Sequence, residues 1–178
     1  SQGGFFMFSN DQSTRSKFLV EGALCLALSL ILSSIKIFTL PQGGSITLEM
    51  VPLLFFAFRR GPKGGIFVGL LSGLLQIFLG GYIFHPLQAL LDYPLAMAAM
   101  GLGGIFSKHK LLSSLIAGSL RLFCHTLAGV IFFASYAPIG ENVWIYSLIY
   151  NATFLVPSLA LSAFIALILW RKLNQVGV

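Results

Sequence analysis

Four ionisable residues stand out within apolar stretches of the sequence: Glu49, Asp92, Arg121 and His125. Charged side chains in apolar surroundings are costly, so by default they mark a binding site or a relay. Arg121 and His125 are four residues apart, and on a helix they would project from one face. Gln88 and Asp92 repeat this spacing, with Tyr93 adjacent. This pattern indicates two polar faces on two different helices.

Further polar side chains, Tyr146, Tyr150 and Asn151, lie near the start of the last apolar stretch. If successive helices alternate in direction, all of these groups converge in one half of a helical bundle, and the other half has no comparable cluster. An apolar-walled space with a few carboxylate, imidazole, amide, guanidinium and phenol groups is typical of a small-molecule site. We therefore predict such a site.

Each of these residues also has a purely structural explanation. A buried Asp–Arg pair can hold two helices together, and a single histidine is commonly a hydrogen-bonded residue at a helix interface. Glu49 could cap a helix end. Four aromatic residues could form a belt at a membrane surface: Tyr93, Tyr136, Tyr146 and Trp144. The convergence of all of them at one depth favours a site.

The sequence gives little support for a metal site, a cofactor or an enzyme. The three histidines, His85, His109 and His125, fall on different segments without the spacing of metal ligands. Hydrolase, metalloprotease and phosphate-binding motifs are absent. We expect no catalytic residue, although a membrane-embedded enzyme with Asp92 and His125 as acid and base is an alternative. Active transport would need a partner that supplies energy.

The elements that position these residues follow from the composition. Of the 178 residues, 57% are apolar and 9% are charged, whereas soluble domains carry about 25% charged residues. Six apolar segments are present, at 18–38, 46–58, 65–79, 87–106, 111–136 and 146–170. The second and third are short and would form two antiparallel passes around the turn 59–63. We predict an all-α membrane protein with six transmembrane helices, rather than a soluble domain.

The basic residues predict the orientation of this bundle. Nine of them lie before the first segment, between the second and third, between the fourth and fifth, or after the sixth: Arg15, Lys17, Arg59, Arg60, Lys63, Lys108, Lys110, Arg171 and Lys172. With six spans all nine fall on one side, which the positive-inside rule makes cytoplasmic. We expect both termini to be cytoplasmic. The net charge of +6 then needs no nucleic-acid partner.

The chain divides into three parts under this interpretation. Residues 1–17 form a polar N-terminal segment, of which 1–6 precede the first methionine and are expected to be a cloning remnant. Residues 18–172 form the transmembrane domain, and 173–178 form a tail. Cys25 and Cys124 are expected to be buried small apolar residues. The glycine run at 101–104 indicates close helix packing, and the loops 36–45 and 80–86 are candidate lids.

Several ordered motifs resemble the thiamine transporter (ThiT/YuaJ) family. They are Pro41-Gln42-Gly43-Gly44-Ser45, Phe58-Arg59-Arg60-Gly61, the stretch from His85 to Tyr93, the stretch from Val143 to Leu148, and Tyr150-Asn151-Ala152-Thr153. The resemblance covers residues 18–170. It implies an S component, the substrate-binding subunit of an energy-coupling factor (ECF) vitamin transporter, with a high-affinity thiamine pocket near the extracellular face of the cell membrane.

The resemblance also implies roles for individual residues. The thiamine-binding positions of the family fall on ten residues: Asp92, Tyr93, His125, Tyr146, Asn151, Arg121, Phe133, Gly129, Glu49 and Tyr82. The small-residue pair Ala23 and Ala27 matches the motif that docks S components onto the transmembrane coupling subunit, which works with two ATP-binding subunits. In this picture Asp92 offsets the thiamine charge, and Arg121 is neutralised by Asp92 or Glu49.

The sequence departs from some members of the family. Ser45, Ser72 and Phe133 stand where some members have tryptophans in the pocket region. Asp92 stands where some have Glu, and Arg121 where some have Lys. An S component for another vitamin or a thiamine precursor, and an autonomous carrier, remain alternatives.

Overall fold

The protein is predominantly helical, and the computed structural model describes residues 4–175. Residues 1–3 of the expected remnant and 176–178 of the expected tail lie outside the described residues. The helices are α1 (Gly4–Ser34), α2 (Met50–Phe78), α3 (Pro86–Leu90), α4 (Ala96–Ala99), α5 (Lys110–Phe132) and α6 (Val143–Gln175). Two short antiparallel strands, β1 (Phe38–Thr39) and β2 (Ser45–Ile46), form a hairpin between α1 and α2.

Helix α2 folds back on itself at Gly61. The backbone of Gly61 has φ 78° and ψ 179°, which only glycine adopts readily, and Pro62 follows it. Glu49 Oε2 and Gln76 Nε2 are 3.1 Å apart, although 27 residues of straight helix would separate them by about 40 Å. The legs 50–60 and 62–78 are therefore antiparallel, as predicted from the turn at 59–63.

The stretch 86–104 is helical but irregular. A π-helical turn at Leu91–Leu95 joins α3 to α4, and a 3₁₀ turn at Met100–Gly104 follows α4. Pro94 cannot donate its own backbone hydrogen bond, which explains why the regular helix is interrupted here. Asp92 and Tyr93 lie on the π turn, a feature that occurs frequently at functional sites.

Glycines on the second leg of α2 allow this irregular stretch to approach it closely. Gly65, Gly69 and Gly73 are four residues apart and share one face. A Cβ at Gly69 would overlap the carbonyl of Met97, and one at Gly73 would overlap that of Tyr93. The close packing predicted from the run 101–104 is confirmed, since a Cβ at Gly101 would overlap the backbone of Ile66. The close approach at Gly73 fixes the π turn against the second leg of α2.

Many large apolar side chains face outward, including Leu19, Leu28, Phe123 and Phe164, each at least half exposed. Such faces suit lipid and would be a liability in water. Among the described residues, four helical stretches are long and apolar enough to cross a membrane: Thr14–Ser34, Met50–Phe78, Lys110–Phe132 and Val143–Leu173. The chain is a multi-pass membrane protein. This criterion gives fewer than the six predicted spans, because α2 runs through its reversal and 86–104 is broken into short pieces.

The end of the bundle that carries the turn 59–63 contains polar contacts that the sequence analysis missed. Glu21 Oε1 and Oε2 accept hydrogen bonds from Arg59 Nη2 and Arg60 Nε, at 3.1 and 2.8 Å. Lys110 is 8% exposed, donates to the carbonyl of Phe58 at 3.0 Å, and lies over the rings of Phe58 and Trp170. The expectation that this half holds no comparable cluster is wrong, because Glu21 was overlooked in an apolar segment.

The two cysteines are free, with Cys25 buried and Cys124 half-buried. The buried core around Cys25 is formed by side chains of α1, both legs of α2, the stretch 97–100, α5 and α6. Its most buried large side chains are Phe56, Met50, Leu53, Leu54, Met97 and Met100. This core supports the floor of the cavity described below.

Candidate functional site

A cavity of about 870 Å³ opens at the end of the bundle opposite the turn 59–63. Its walls come from the end of α1, the β1–β2 hairpin, Glu49 just before α2, the second leg of α2 with the loop after it, the stretch 88–97, α5 and α6. All ten residues predicted as binding residues line it: Glu49, Tyr82, Asp92, Tyr93, Arg121, His125, Gly129, Phe133, Tyr146 and Asn151. The structure therefore brings these ten residues together around one cavity.

The first acid–base pair of the cavity joins Glu49 and Arg121. Arg121 Nη2 donates to Glu49 Oε1, and the two side chains are only 6% and 9% exposed. Gln76 Nε2 donates to the other oxygen of the same carboxylate, at 3.1 Å. Because an isolated buried charge would be strongly destabilising, the pair holds α5 against the start of α2. Of the two expected partners of Arg121, the structure selects Glu49.

The second acid–base pair joins Asp92 and His125. His125 Nδ1 lies 2.9 Å from Asp92 Oδ1, and Gln88 Nε2 donates to Asp92 Oδ2 at 2.7 Å. The side chains of His125 and Asp92 are 13% and 17% exposed, so this pair is more open than the first. Each carboxylate of the cavity therefore has a basic partner on α5 and a glutamine amide on its second oxygen.

The charges of the two pairs are not equivalent. Arg121 is always protonated and cancels the charge of Glu49, whereas the partner of Asp92 is an imidazole, which carries no charge in its neutral form. The only other charged residue of the cavity lining, Lys36, is solvent-exposed and its field is screened by water and salt. With His125 neutral, the interior of the cavity therefore carries one uncompensated negative charge.

Some buried polar atoms of these pairs have no hydrogen-bond partner within the part of the chain that the structure describes. They are Nε and Nη1 of Arg121 and Nε2 of His125. Buried polar atoms are normally satisfied in native proteins, and exceptions concentrate at functional sites. A ligand with donor and acceptor groups would lower the free energy of the site by supplying these bonds.

Aromatic rings cover one side of the cavity. Phe133 follows α5 and packs against Tyr82, Phe84 and Tyr136, with ring centroids 6.4, 5.7 and 6.0 Å away. The hydroxyl of Tyr93 accepts a hydrogen bond from the backbone N–H of Tyr82 at 2.6 Å. The loop 80–85 is therefore fastened over the cavity by side chains of the π turn and of the segment after α5.

Helix α6 fastens the β1–β2 hairpin over another side. Tyr146 bonds to the side chain of Gln42 at 3.0 Å, and the hydroxyl of Tyr150 accepts from Gly44 N–H at 3.2 Å. Asn151 uses its side-chain amide nitrogen for the carbonyls of Ser147 and His125, at 2.9 and 3.4 Å. Its side-chain carbonyl is thus the group left for a ligand.

Gly129 permits close contact between α5 and α6. A Cβ at this position would overlap Ser147 Oγ, so its place in the lining follows from helix packing. Ser147 in turn donates to the carbonyl of Thr126 at 2.9 Å.

Several lining residues were absent from the predicted set. Gln76 is the single polar side chain between Ser72 and Gly80, a signal that could have identified it. Gln88 and Tyr150 were noticed but not assigned to the site. The hairpin residues Gln42 and Gly44, and Phe154 on α6, also line the cavity; no sequence spacing places a hairpin against a distant helix.

The three positions at which some family members have tryptophans lie in different surroundings in the structure. Ser45 and Phe133 line the cavity. Ser72 is fully buried outside the lining, where its hydroxyl lies 3.1 Å from that of Ser29. Phe133 is therefore the aromatic side chain among the three that can face a ligand.

Ala23 and Ala27 lie away from the cavity, on an exposed face of α1 beside Leu24 and Leu28. Their inward neighbours Cys25 and Ser29 are buried. Across the described residues, no group of three or more His, Cys, Asp or Glu side chains is placed to hold a metal ion.

Comparisons with known proteins agree with this geometry. A family model described as "Thiamine transporter protein (Thia_YuaJ)" matches residues 19–177. The thiamine transporter ThiT of Bacillus subtilis is 40% identical over 90% of this chain and 93% of its own length. That of Lacticaseibacillus paracasei is 33% identical over 75% of this chain and 76% of its own. A solved structure of ThiT from Listeria monocytogenes aligns with a TM-score of 0.82 and 31% identity, covering 91% of this chain and 97% of that one.

The buried pair of Glu49 and Arg121 generates a stability prediction. Arg121→Met leaves Glu49 charged and unpaired, and we expect it to cost about 3–5 kcal/mol, the range for breaking a buried ion pair. The double variant Glu49→Gln/Arg121→Met removes both charges and should recover most of this loss. Thermal unfolding of the purified protein in detergent measures both. The single variant Glu49→Gln completes the comparison. A double variant whose loss of stability equals the sum of the losses of Arg121→Met and Glu49→Gln would contradict the pairing.

Proposed function

The chain belongs to the thiamine transporter family, and we propose that it is the high-affinity thiamine-binding S component of an ECF transporter. The observation that carries the proposal is the Asp92–His125 pair, which places in the cavity a carboxylate whose charge a neutral His125 leaves uncompensated. Thiamine is a monocation, so its charge complements that of Asp92. A cavity of about 870 Å³ is within the size range of small-molecule pockets.

The other lining groups suit the rest of the thiamine molecule. Phe133 offers a ring face to the thiazolium or the pyrimidine, and cation–π attraction contributes about 0.5–2 kcal/mol. The side-chain carbonyl of Asn151 and the Nε2 lone pair of a neutral His125 accept from an exocyclic amine. The unsatisfied N–H groups of Arg121 are donors for ring nitrogens. This assignment makes the side chain of Asn151 a hydrogen-bond acceptor for the ligand.

The named relatives are transporters and not enzymes. A membrane-embedded enzyme that uses Asp92 and His125 as acid and base is therefore set aside. An S component for another vitamin or a thiamine precursor has no observation in its favour, because the site charge and both curated relatives point to thiamine.

We further propose six membrane passes with both termini in the cytoplasm, so that the cavity opens outward. The two antiparallel legs of α2 supply the second and third passes, and the helical stretch 86–104 supplies the fourth. The basic turn 59–63 lies at the end opposite the cavity, which supports this orientation through the positive-inside rule.

Energy for uptake would come from partners. We propose that a transmembrane coupling subunit and two ATP-binding subunits drive release of thiamine into the cell. The absence of an ATP-binding motif in the sequence supports a need for such partners. The exposed small-residue face with Ala23 and Ala27 supports close approach of a partner helix to α1.

Removing the carboxylate charge of Asp92 tests the proposed site. Asp92→Asn keeps the side-chain size, and we expect it to weaken thiamine binding about 10- to 100-fold, as for loss of a hydrogen bond to a charged group. The matched control is Glu141→Gln, which removes an exposed acid outside the cavity lining and should leave affinity unchanged. Calorimetric titration of the purified protein measures both. A wild type that binds riboflavin or biotin but not thiamine would refute the proposal.

Single cysteines in a cysteine-free background test the six-pass topology. We expect a cysteine at Lys63 or Lys108 to react with a membrane-impermeant maleimide only after the membrane is opened. A cysteine at Gln42 or Glu141 should react in intact cells. If cysteines at positions 63 and 141 reacted with the maleimide from the same side of the membrane, the six-pass topology would be contradicted.

The partner face is tested by separating binding from uptake. Ala23→Leu and Ala27→Leu add bulk to the exposed face of α1, and we expect them to abolish ATP-dependent thiamine uptake while leaving binding intact. The matched control, Ala160→Leu, adds the same bulk to an exposed position of α6. Uptake by proteoliposomes without any ATPase would instead identify an autonomous carrier.

A further inference from the structure

Gln88 is a buried side chain that connects a loop to the proposed ligand-binding carboxylate. It is 2% exposed although it lies in the first turns of the irregular stretch 86–104. Its Nε2 donates to Asp92 Oδ2 at 2.7 Å, and its Oε1 accepts from the backbone N–H of Phe84 at 2.9 Å. A third contact runs from Nε2 to the carbonyl of Tyr82 at 3.3 Å.

These contacts determine the orientation of the amide. The backbone N–H of Phe84 requires an acceptor, so Oε1 faces the loop. The carboxylate of Asp92 requires a donor, so Nε2 faces Asp92. Glutamine supplies both groups on one side chain, which an apolar residue cannot do.

The loop 80–85 has a second attachment, to Tyr93, the residue that follows Asp92 in the sequence. The hydroxyl of Tyr93 accepts from Tyr82 N–H at 2.6 Å. The loop starts at Gly80, whose φ of 107° is accessible mainly to glycine. The rings of Tyr82 and Phe84 then rest on Phe133 at the cavity wall. The side-chain hydrogen bonds to the backbone of the loop 80–85 therefore come from Gln88 and Tyr93, on either side of Asp92 in the sequence.

We propose that Gln88 is a positioning residue that couples closure of the loop 80–85 to Asp92, an inference that rests on the proposed thiamine site. With Gln88 in place, one oxygen of Asp92 is held by the amide and the other by His125, so the carboxylate has a single orientation toward the cavity. The same amide holds the loop backbone over the cavity. Release of ligand then requires the loop and the carboxylate to disengage together.

The coupling predicts a kinetic effect of Gln88→Met, which keeps the approximate side-chain length and removes all three side-chain hydrogen bonds. Dissociation of thiamine should be about 10- to 100-fold faster, because a hydrogen bond to a charged group is lost. The association rate should change much less, as is usual for contacts that form after encounter. Stopped-flow fluorescence of the purified full chain measures both rates.

Gln76→Met is the matched control, since the side chain of Gln76 donates a hydrogen bond to the other carboxylate of the cavity, that of Glu49. Within the described residues, this side chain has no hydrogen bond to the loop 80–85. Its effect on dissociation should add to that of Asp92→Asn within about twofold. Gln88→Met, in contrast, should have little further effect in the Asp92→Asn background. Gln88→Asn keeps the amide but is one methylene too short to reach both the loop and Asp92, and it should accelerate dissociation even if Gln88→Met folds poorly.

The outcomes separate this inference from the proposed function. Thiamine binding by the wild type with unchanged dissociation in both Gln88 variants would overturn the coupling alone. Additive effects of Gln88→Met and Asp92→Asn would also overturn it, because Gln88 would then act independently of Asp92. Failure of the wild type to bind thiamine would refute the site itself, and the inference with it.

Discussion

The structure of the cavity depends on two basic residues one helical turn apart on α5, each bonded to a carboxylate from another segment. Arg121 meets Glu49 at the start of α2, and His125 meets Asp92 on the π turn. Charged groups in an apolar bundle are tolerated when they are paired or hydrogen-bonded. The two pairs therefore dictate where α2 and the stretch 86–104 lie relative to α5, and hence the position of the cavity.

Backbone features bring the two carboxylates within reach of α5. The reversal at Gly61 returns the second leg of α2 beside the first, so that Gln76 reaches Glu49. The glycine face of that leg lets the π turn approach closely enough for Asp92 to reach His125. The more buried pair joins a carboxylate to a guanidinium and is electrically neutral, and the more open pair joins a carboxylate to an imidazole. Under the proposed function, this division would allow a site for a cation to contain an arginine.

The apolar segments and the scarce charges were sufficient to predict the helical membrane class, the reversal at 59–63 and most of the polar lining residues. Tyr82, Gly129 and Phe133 were assigned to the site only through the family resemblance. The sequence did not distinguish Glu49 from Asp92 as the partner of Arg121, since the choice depends on helix rotation. It also missed Gln42 and Gly44, whose contacts with Tyr146 and Tyr150 bridge more than a hundred residues. The Glu21 cluster was missed because one acid in a long apolar segment did not alter the pattern.

We propose that the charge of Asp92, which a neutral His125 leaves uncompensated, selects a monocationic ligand. Competition titration with a neutral thiamine isostere, in which carbon replaces the charged thiazolium nitrogen, tests this claim most directly. The account predicts that the isostere binds the wild type about 10- to 100-fold more weakly than thiamine, the range for a charge-assisted contact. It also predicts that the difference largely disappears in Asp92→Asn. Equal affinity of the wild type for the two compounds would contradict it.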